Sequence, residues 1–281
     1  EDKDKFVPKN LIKKLKKKKI IFHNYYVKKI KKYKNRIILE CSNGIENKTF
    51  DTKKLVLGCG TLVTTKLIMD YLKIKDEVRI NHHPRLFSLY ISKQKWKSHM
   101  NFEPSHTHIK PKKTQFLFTA DFRPGNKIIV NAIIKFKKIL KPIKFLINYF
   151  REYMIFSNIF LESKYGNLFI KKRDKFYEIF SKEKNLKKTF KKTSKMVYQA
   201  LIKAKKIFPV YYNYFPGFGA DFHYFGTIPI NSRQQLSVNE NCQLKNNKNI
   251  YIIDGSVLNF KKNKYPLGVI IANSHRIGEE I

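Results

Sequence analysis

Lys54-Leu55-Val56-Leu57-Gly58-Cys59-Gly60-Thr61 is the run on which the fold turns. Three apolar residues followed by two glycines read as a short buried strand that breaks into a tight turn. The next stretch, Thr64-Thr65-Lys66-Leu67-Ile68-Met69-Asp70-Tyr71-Leu72, has helical periodicity, with Thr64 or Thr65 predicted as its N-cap. Strand, glycine turn and helix in that order make the repeating element of a doubly wound α/β sheet. Taken alone, Gly58-Cys59-Gly60 is an ordinary turn, and no third glycine completes a phosphate-binding fingerprint. A ligand reading requires the bare backbone that glycine offers to a group lying against it.

Upstream, Ile20–Val27 reads as a strand and Arg36–Cys41 as its antiparallel neighbour. Asn43-Gly44 predicts a two-residue hairpin turn leading to a third strand near Lys48-Thr49-Phe50. The Lys-rich lead-in, Lys13–Lys19, reads as an exposed helix or a loose end. Downstream, residues 80–215 change character to aromatic and Lys. Strands are expected at Gln115–Thr119 and Asn167–Lys172, and a helix at Leu186–Ile207. This middle reads as a separate substrate-side domain of mixed α+β character. The α/β grammar returns at Asn249-Ile250-Tyr251-Ile252-Ile253-Asp254-Gly255-Ser256, a buried strand ending in Asp-Gly-Ser. A helix over Leu267–Ile281 follows, with Pro266 at its first turn, where a missing N–H costs little.

Composition narrows the partners. The 281 residues carry 59 Lys and Arg against 21 Asp and Glu, a net charge of +38, and 42% are hydrophobic, enough for a core. Only eight of those basic residues are Arg, the side chain that reads bases and phosphates bidentately. A Lys excess beside many Asn and Ile fits drift toward A/T-rich codons better than a binding function, so no nucleic-acid partner is expected. Cys41, Cys59 and Cys242 form no CxxC pair, which argues against a disulfide framework or structural zinc and fits a reducing, cytoplasmic setting. The chain starts at Glu1 with no apolar h-region, so no secretory signal is expected. The longest apolar candidate, 128–160, is interrupted by Lys135, Lys137, Lys138, Lys141, Lys144 and Arg151; attachment of this stretch to an anionic membrane surface stays open.

Among side chains able to do chemistry, His223 in Asp221-Phe222-His223-Tyr224-Phe225-Gly226-Thr227 could take or share a hydroxyl proton near neutral pH. The bland alternative is a hydrogen-bonded structural histidine. His82, His83, His99, His106 and His108 show no metal-ligand spacing, so they are read as surface or domain-junction residues and no metal is expected.

Three stretches, in order, resemble the glucose-methanol-choline (GMC) family of FAD-dependent oxidoreductases, nearest its cholesterol-oxidase-like branch. Val27-Lys28-Lys29-Ile30, then Leu55–Leu62 and Thr65–Ile68, resemble the adenine-side strand and the "LGAGxLxTxxLL" segment. His223-x-x-Gly226-Thr227 is similar to "HxxGT". Asn249–Val257, Tyr265-Pro266 and Ala272–Ile277 are similar to the C-terminal signature "NLYVVDGSV … NPxxTIxALAxRI". The resemblance covers about 20–85 and 215–281. It implies a partial doubly wound FAD-binding domain with an inserted α+β substrate domain, divided as 1–80, 81–215 and 216–281. The family's N-terminal GxGxxG unit is absent, so the chain resembles the C-terminal portion of a longer protein, and the missing segment becomes an expected partner.

The same resemblance implies FAD as cofactor, with Val27, Gly58, Cys59, Gly60, Asp254, Gly255, Pro266 and Leu267 along it. It implies oxidation of a small-molecule alcohol, a sugar or glycan intermediate among the options, by hydride transfer to flavin N5. His223 would handle the hydroxyl proton. Tyr265 stands where the family has Asn or His; a phenol still donates or accepts a hydrogen bond but is longer and titrates at about 10. The competing readings are a catalytically silent GMC-like protein and a basic binder of nucleic acid or another anionic polymer.

Overall fold

The computed structural model of the chain describes residues 12, 15–16, 18, 20–96, 107–109, 118–136, 139, 141–183, 185–217, 223–259 and 266–281. Among these residues it is a mixed α/β structure with four sheets. The first sheet joins β1 (Tyr26–Tyr33), β2 (Arg36–Ser42) and β3 (Asn47–Thr52) as an antiparallel meander. The strand expected at Ile20–Val27 therefore starts later. Its register against β2, from Tyr33↔Arg36 back to Tyr26↔Ser42, runs out where β2 ends, and 20–25 stay outside the ladder. The Asn43-Gly44 turn is a four-residue loop rather than two. Asn43 Oδ1 accepts from the N–H groups of Ile45 and Glu46, and Gly44 takes φ 93.

β4 (Leu55–Leu57) leads through Gly58-Cys59-Gly60 into α1 (Thr61–Tyr71). The helix begins three residues before the expected start. Gly60, at φ 85, is the N-cap and swings the chain directly from strand to helix. Thr64 and Thr65 lie inside the helix, their hydroxyls taken by tertiary partners.

β5 (Val78–Ile80) and β6 (Arg85–Ser92) follow, then β7 (Thr107–Ile109) and β8 (Phe118–Pro124). α2 (Lys127–Phe136), α3 (Lys144–Phe150) and β9 (Met154–Leu161) come next. The strand expected at Gln115–Thr119 is thus displaced toward 124, with 115–117 outside the described residues. β10 (Leu168–Lys172) agrees with its expected span and pairs with both β5 and β11 (Tyr177–Ser181). α4 (Leu186–Lys203) stops short of the expected Ile207. Lys205 turns through φ 55, and Ile207 opens β12 (Ile207–Tyr214) instead. β13 (Gln243–Leu244), β14 (Asn247–Ile252) and α5 (Pro266–Glu280) complete the chain, with Pro266 at the first helical position.

Two cores organise these elements. In the first, β4 and β14 run parallel, Leu55 beside Ile250 and Leu57 beside Ile252, and pack against Leu67, Ile68 and Met69 of α1. Leu168 and Ile170 of β10 join this core. The second is the antiparallel sheet β12-β6-β9-β8-β7. Its one face, carrying Tyr90, Phe122, Ile155 and Ile159, is covered by Leu186, Phe190 and Val197 of α4. No helix among the described residues is long and apolar enough to cross a membrane. Ile159 is fully buried in the second core. Ile159→Ala should cost about 2–5 kcal/mol of unfolding free energy, read as a lower urea midpoint at unchanged slope.

Candidate functional site

Parallel strands β4 and β14 both end in turns at the same side of their sheet. Crevices outside the carboxyl ends of parallel strands are where doubly wound folds take ligands. At the end of β14, Asp254 is buried, and its Oδ1 accepts from the Ser256 N–H at 2.9 Å and from the Ser256 hydroxyl. Its Oδ2 accepts the hydroxyl of Thr64, from the second turn of α1. The carboxylate thus joins the two strand ends across the crevice.

The segment 223–230 is laid over this junction. Thr61 Oγ1 donates to the Tyr224 carbonyl at 2.6 Å. The Gly226 N–H donates to the Gly255 carbonyl at 3.0 Å, and Ile228 N–H to that of Ser256 at 2.8 Å. Thr227 Oγ1 meets Thr65 Oγ1 at 2.6 Å. On its other side, Phe225 forms an antiparallel bridge with Asn81, each N–H donating to the other's carbonyl at 2.9 Å. The spacing H-x-x-G-T acquires a mechanical reason. Gly226 sits at φ 69 with the Leu258 carbonyl only 2.6 Å from where a Cβ would stand, and Thr227 is pinned to α1. His223 is the residue that this anchored pair presents three positions upstream.

The structure therefore brings 58–60, 254–255 and 223–227 together. The His223 ring lies parallel to that of Phe160, with centroids 6.4 Å apart and planes at 14°, so it rests between the first core and the sheet of the second. Gly58, Cys59 and Gly60 are exposed, and the space where a Gly60 Cβ would project is open. Gly255 is different: a Cβ there would stand 2.8 Å from Thr61 Oγ1, so protein packing already requires glycine. Val27, paired with Cys41 in the first sheet, packs half-buried against the first core. Leu267 is exposed at the start of α5, whose Ser274 hydroxyl donates to the Ile253 carbonyl at 2.9 Å. Tyr265 lies outside the described residues.

The histidines need one correction. His82 and His83 are buried, not at the surface. Their rings pack near Tyr224 and Phe225, beside the bridge that Asn81 makes to Phe225. His99 and His106 lie outside the described residues, and His108 occupies the register position opposite Asp121. Sequence reasoning missed Thr61, Thr64, Thr65, Asn81 and Phe160. Hydroxyls at i, i+3 and i+4 on the buried side of a helix needed partners, and that was the available signal.

The N-terminus of α1 has no side-chain cap, and the space where a Gly60 Cβ would project is open. Such an end accepts a negative group. The Cys59 thiol pKa is raised by desolvation first and then by the Asp254 carboxylate.

Among the described residues these features define a mixed α/β architecture in which β4 and β14 form a parallel pair and the other three sheets are antiparallel. No protein-family model matches the sequence, and no curated protein matches it. Among solved structures, the fold is similar to that of pyridoxine 4-oxidase from Mesorbium loti. The TM-score is 0.59 at 12% identity, over 91% of this chain and 57% of that one. The chain thus spans little more than half of that neighbour, and at such identity the likeness is one of fold.

Gly226→Ala combines a positive φ with a backbone clash and should lower stability by about 1–3 kcal/mol in urea unfolding. Alkylation of Cys59 by iodoacetamide should rise with pH about a midpoint above that of free cysteine. Asp254→Asn, which removes a negative charge that opposes thiolate formation, should move that midpoint down.

Proposed function

We propose that this chain is the larger part of an FAD-dependent oxidoreductase acting on an alcohol. The observation that carries the reading is the convergence of the 58–60 turn, the 254–256 turn and the His223 segment on one crevice. Fold similarity to an oxidase that acts on pyridoxine, itself an alcohol, supports the reaction class.

The residues present fit a cofactor of this kind. Open space over Gly60 and the uncapped amides of α1 suit an anionic, extended nucleotide. Gly58, Cys59 and Gly60 let it lie on bare backbone, and Asp254, held by Thr64 and Ser256, fixes the opposite wall. Val27 flanks the adenine side, while Gly255, Pro266 and Leu267 border the other end. When bound, FAD supplies the two-electron acceptor for the alcohol carbon.

The work of the protein is positioning and proton handling. His223 accepts the hydroxyl proton at an imidazole nitrogen, its ring held against Phe160. Tyr265 is a second hydrogen-bonding group for the same hydroxyl. The substrate body lies at the Tyr214 side of the antiparallel sheet, on the face away from α4, where that face is partly exposed. There Phe87 stacks on Tyr214, with the Arg85 guanidinium 4.3 Å from the Phe87 centroid. Aromatic faces of this kind accept either an apolar alcohol or the C–H face of a sugar ring.

A missing N-terminal segment is the remaining partner. β4 stands at the end of its sheet order, and Val56 is exposed on it, although parallel strands are ordinarily covered on both faces. A further parallel strand beside β4 would cover that edge and complete the cofactor cradle. The unpaired cysteines Cys41 and Cys242, both buried, suit a reducing compartment such as the cytoplasm.

The full-length protein should carry a flavin absorbance at roughly 450 nm that its alcohol bleaches. His223→Ala should slow anaerobic bleaching by roughly 10²–10⁴-fold while flavin content is retained. Bleaching at the wild-type rate removes His223 from the reaction. Flavin retained without turnover on any alcohol or sugar leaves the silent relative as the correct reading.

A further inference from the structure

α3 breaks the rule that organises the rest of the molecule. Its sequence, Lys-Phe-Leu-Ile-Asn-Tyr-Phe, is mostly apolar, yet none of its residues is buried. A helix in a globular protein ordinarily turns its apolar side inward. α2 does so, burying Val130 and Ile134 one turn apart. In α3, by contrast, Phe145 is 75% exposed and Tyr149 76%, and nearby Ile139 is 85% exposed.

The platform is built rather than loose. Arg151 Nη1 donates to the Asn148 carbonyl at 2.9 Å, closing the end of the helix. The Trp96 N–H donates to the Glu152 carbonyl at 2.7 Å, fastening the following turn beyond the end of β6. Tyr149 and Phe150 meet edge to face at 5.1 Å, so the aromatics form one patch.

Charge selects the occupant. From Phe122 to Arg151 the sequence has eight Lys and Arg and no Asp or Glu. Lys135, Lys141 and Lys144 are exposed around the apolar patch. A second copy would set like charge against like charge. A nucleic acid would use the cations and could stack on Phe145 or Tyr149, but it has no use for exposed aliphatic groups such as Ile139, Ile143 and Leu146. Exposed aliphatic and aromatic side chains ringed by lysines match the boundary between acyl chains and anionic headgroups.

We propose that α3, with the 141–143 turn before it and Ile139, forms an interfacial anchor that docks on an anionic lipid surface. Phe145, Leu146, Tyr149, Phe150 and Ile139 enter the acyl boundary, and Lys135, Lys141 and Lys144 contact the headgroups. This holds the protein on the membrane without a spanning segment. It does not depend on the flavin reading.

The test is co-sedimentation of the chain with phosphatidylcholine vesicles containing roughly 30% phosphatidylserine, against pure phosphatidylcholine. Binding should need the anionic lipid. Phe145→Ser/Tyr149→Ser should weaken it roughly tenfold at unchanged circular dichroism. Lys135→Gln/Lys141→Gln/Lys144→Gln should weaken it roughly 100-fold, about fivefold per lysine. The control Lys187→Gln/Lys188→Gln/Lys191→Gln, on exposed positions of α4, should change it by less than about threefold. Three results overturn the proposal. One is binding of the Phe145/Tyr149 variant as tight as wild type, which assigns any binding to the diffuse +38 charge. Another is an α4 control that weakens binding as much as the α2–α3 lysine variant. The third is a dimer in sedimentation equilibrium that the Phe145/Tyr149 variant dissolves, which gives the patch to a second copy.

Discussion

The carboxylate of Asp254 is the constraint on which the crevice depends. A buried charge must find hydrogen-bond donors or it costs several kcal/mol. Here the donors are the hydroxyl of Thr64 and the hydroxyl and N–H of Ser256. One group belongs to the helix after β4, the other to the turn after β14, so satisfying the charge also sets the distance between the two strand ends. The 223–230 segment is registered on that junction by backbone bonds to Gly255, Ser256 and Val257. Geometry at His223 is thus inherited from a polar contact that never touches it, which is how a supporting layer pre-organises a site.

What was legible in the sequence follows from this construction. Leu55–Leu57 and Ile250–Ile252 were visible because each is a short apolar run that a glycine follows within three residues. Pro266 marked the start of α5 because its ring can stand only in the first turn. The N-cap of α1 was misplaced for an equally physical reason. Thr64 and Thr65 look like capping residues, but the Thr64 hydroxyl donates to Asp254, 190 positions away, and that of Thr65 donates back to the Thr61 carbonyl and meets Thr227. Sequence-local reasoning assigns such hydroxyls to the nearest amide.

The antiparallel sheet was less legible, and β6 explains why. Its buried positions are Leu86, Ser88, Tyr90 and Ser92, whereas Phe87, Leu89 and Ile91 are only partly buried. The period of two is present, but polarity does not say which face is inside. Ser88 is tolerated inside because its hydroxyl donates to Asn213 Oδ1 at 2.7 Å, and Asn213 in turn donates to Ser194 of α4 at 3.1 Å. The end of α4 was hidden for another reason: Lys205 adopts φ 55 with neither Gly nor Pro to announce the turn. In the site, the segments were legible while their supports were not. His223, Gly226 and Asp254 stand in recognisable patterns, whereas Asn81 and Phe160 acquire meaning only through pairing.

The partly open face of that sheet and the position of His223 belong to one arrangement. Cross-strand neighbours place Tyr214 beside Phe87, Phe87 beside Asn158 and Asn158 beside Asp121, with Arg85, Phe160 and Thr119 forming the next row. The middle member of the second row, Phe160, is the residue on which the His223 ring stacks. A segment anchored in the first core therefore meets the face of the second sheet that lies away from α4, where Thr119, Asp121, Asn158 and Phe160 are buried. Clefts between two packed units are where proteins commonly build small-molecule sites, since neither unit can fill the seam alone. The seam here has an aromatic wall on one side and a polar, glycine-lined crevice on the other. The His223 ring stands between them, with Gly226 and Thr227 anchoring its segment on one side and Phe160 parallel to it on the other.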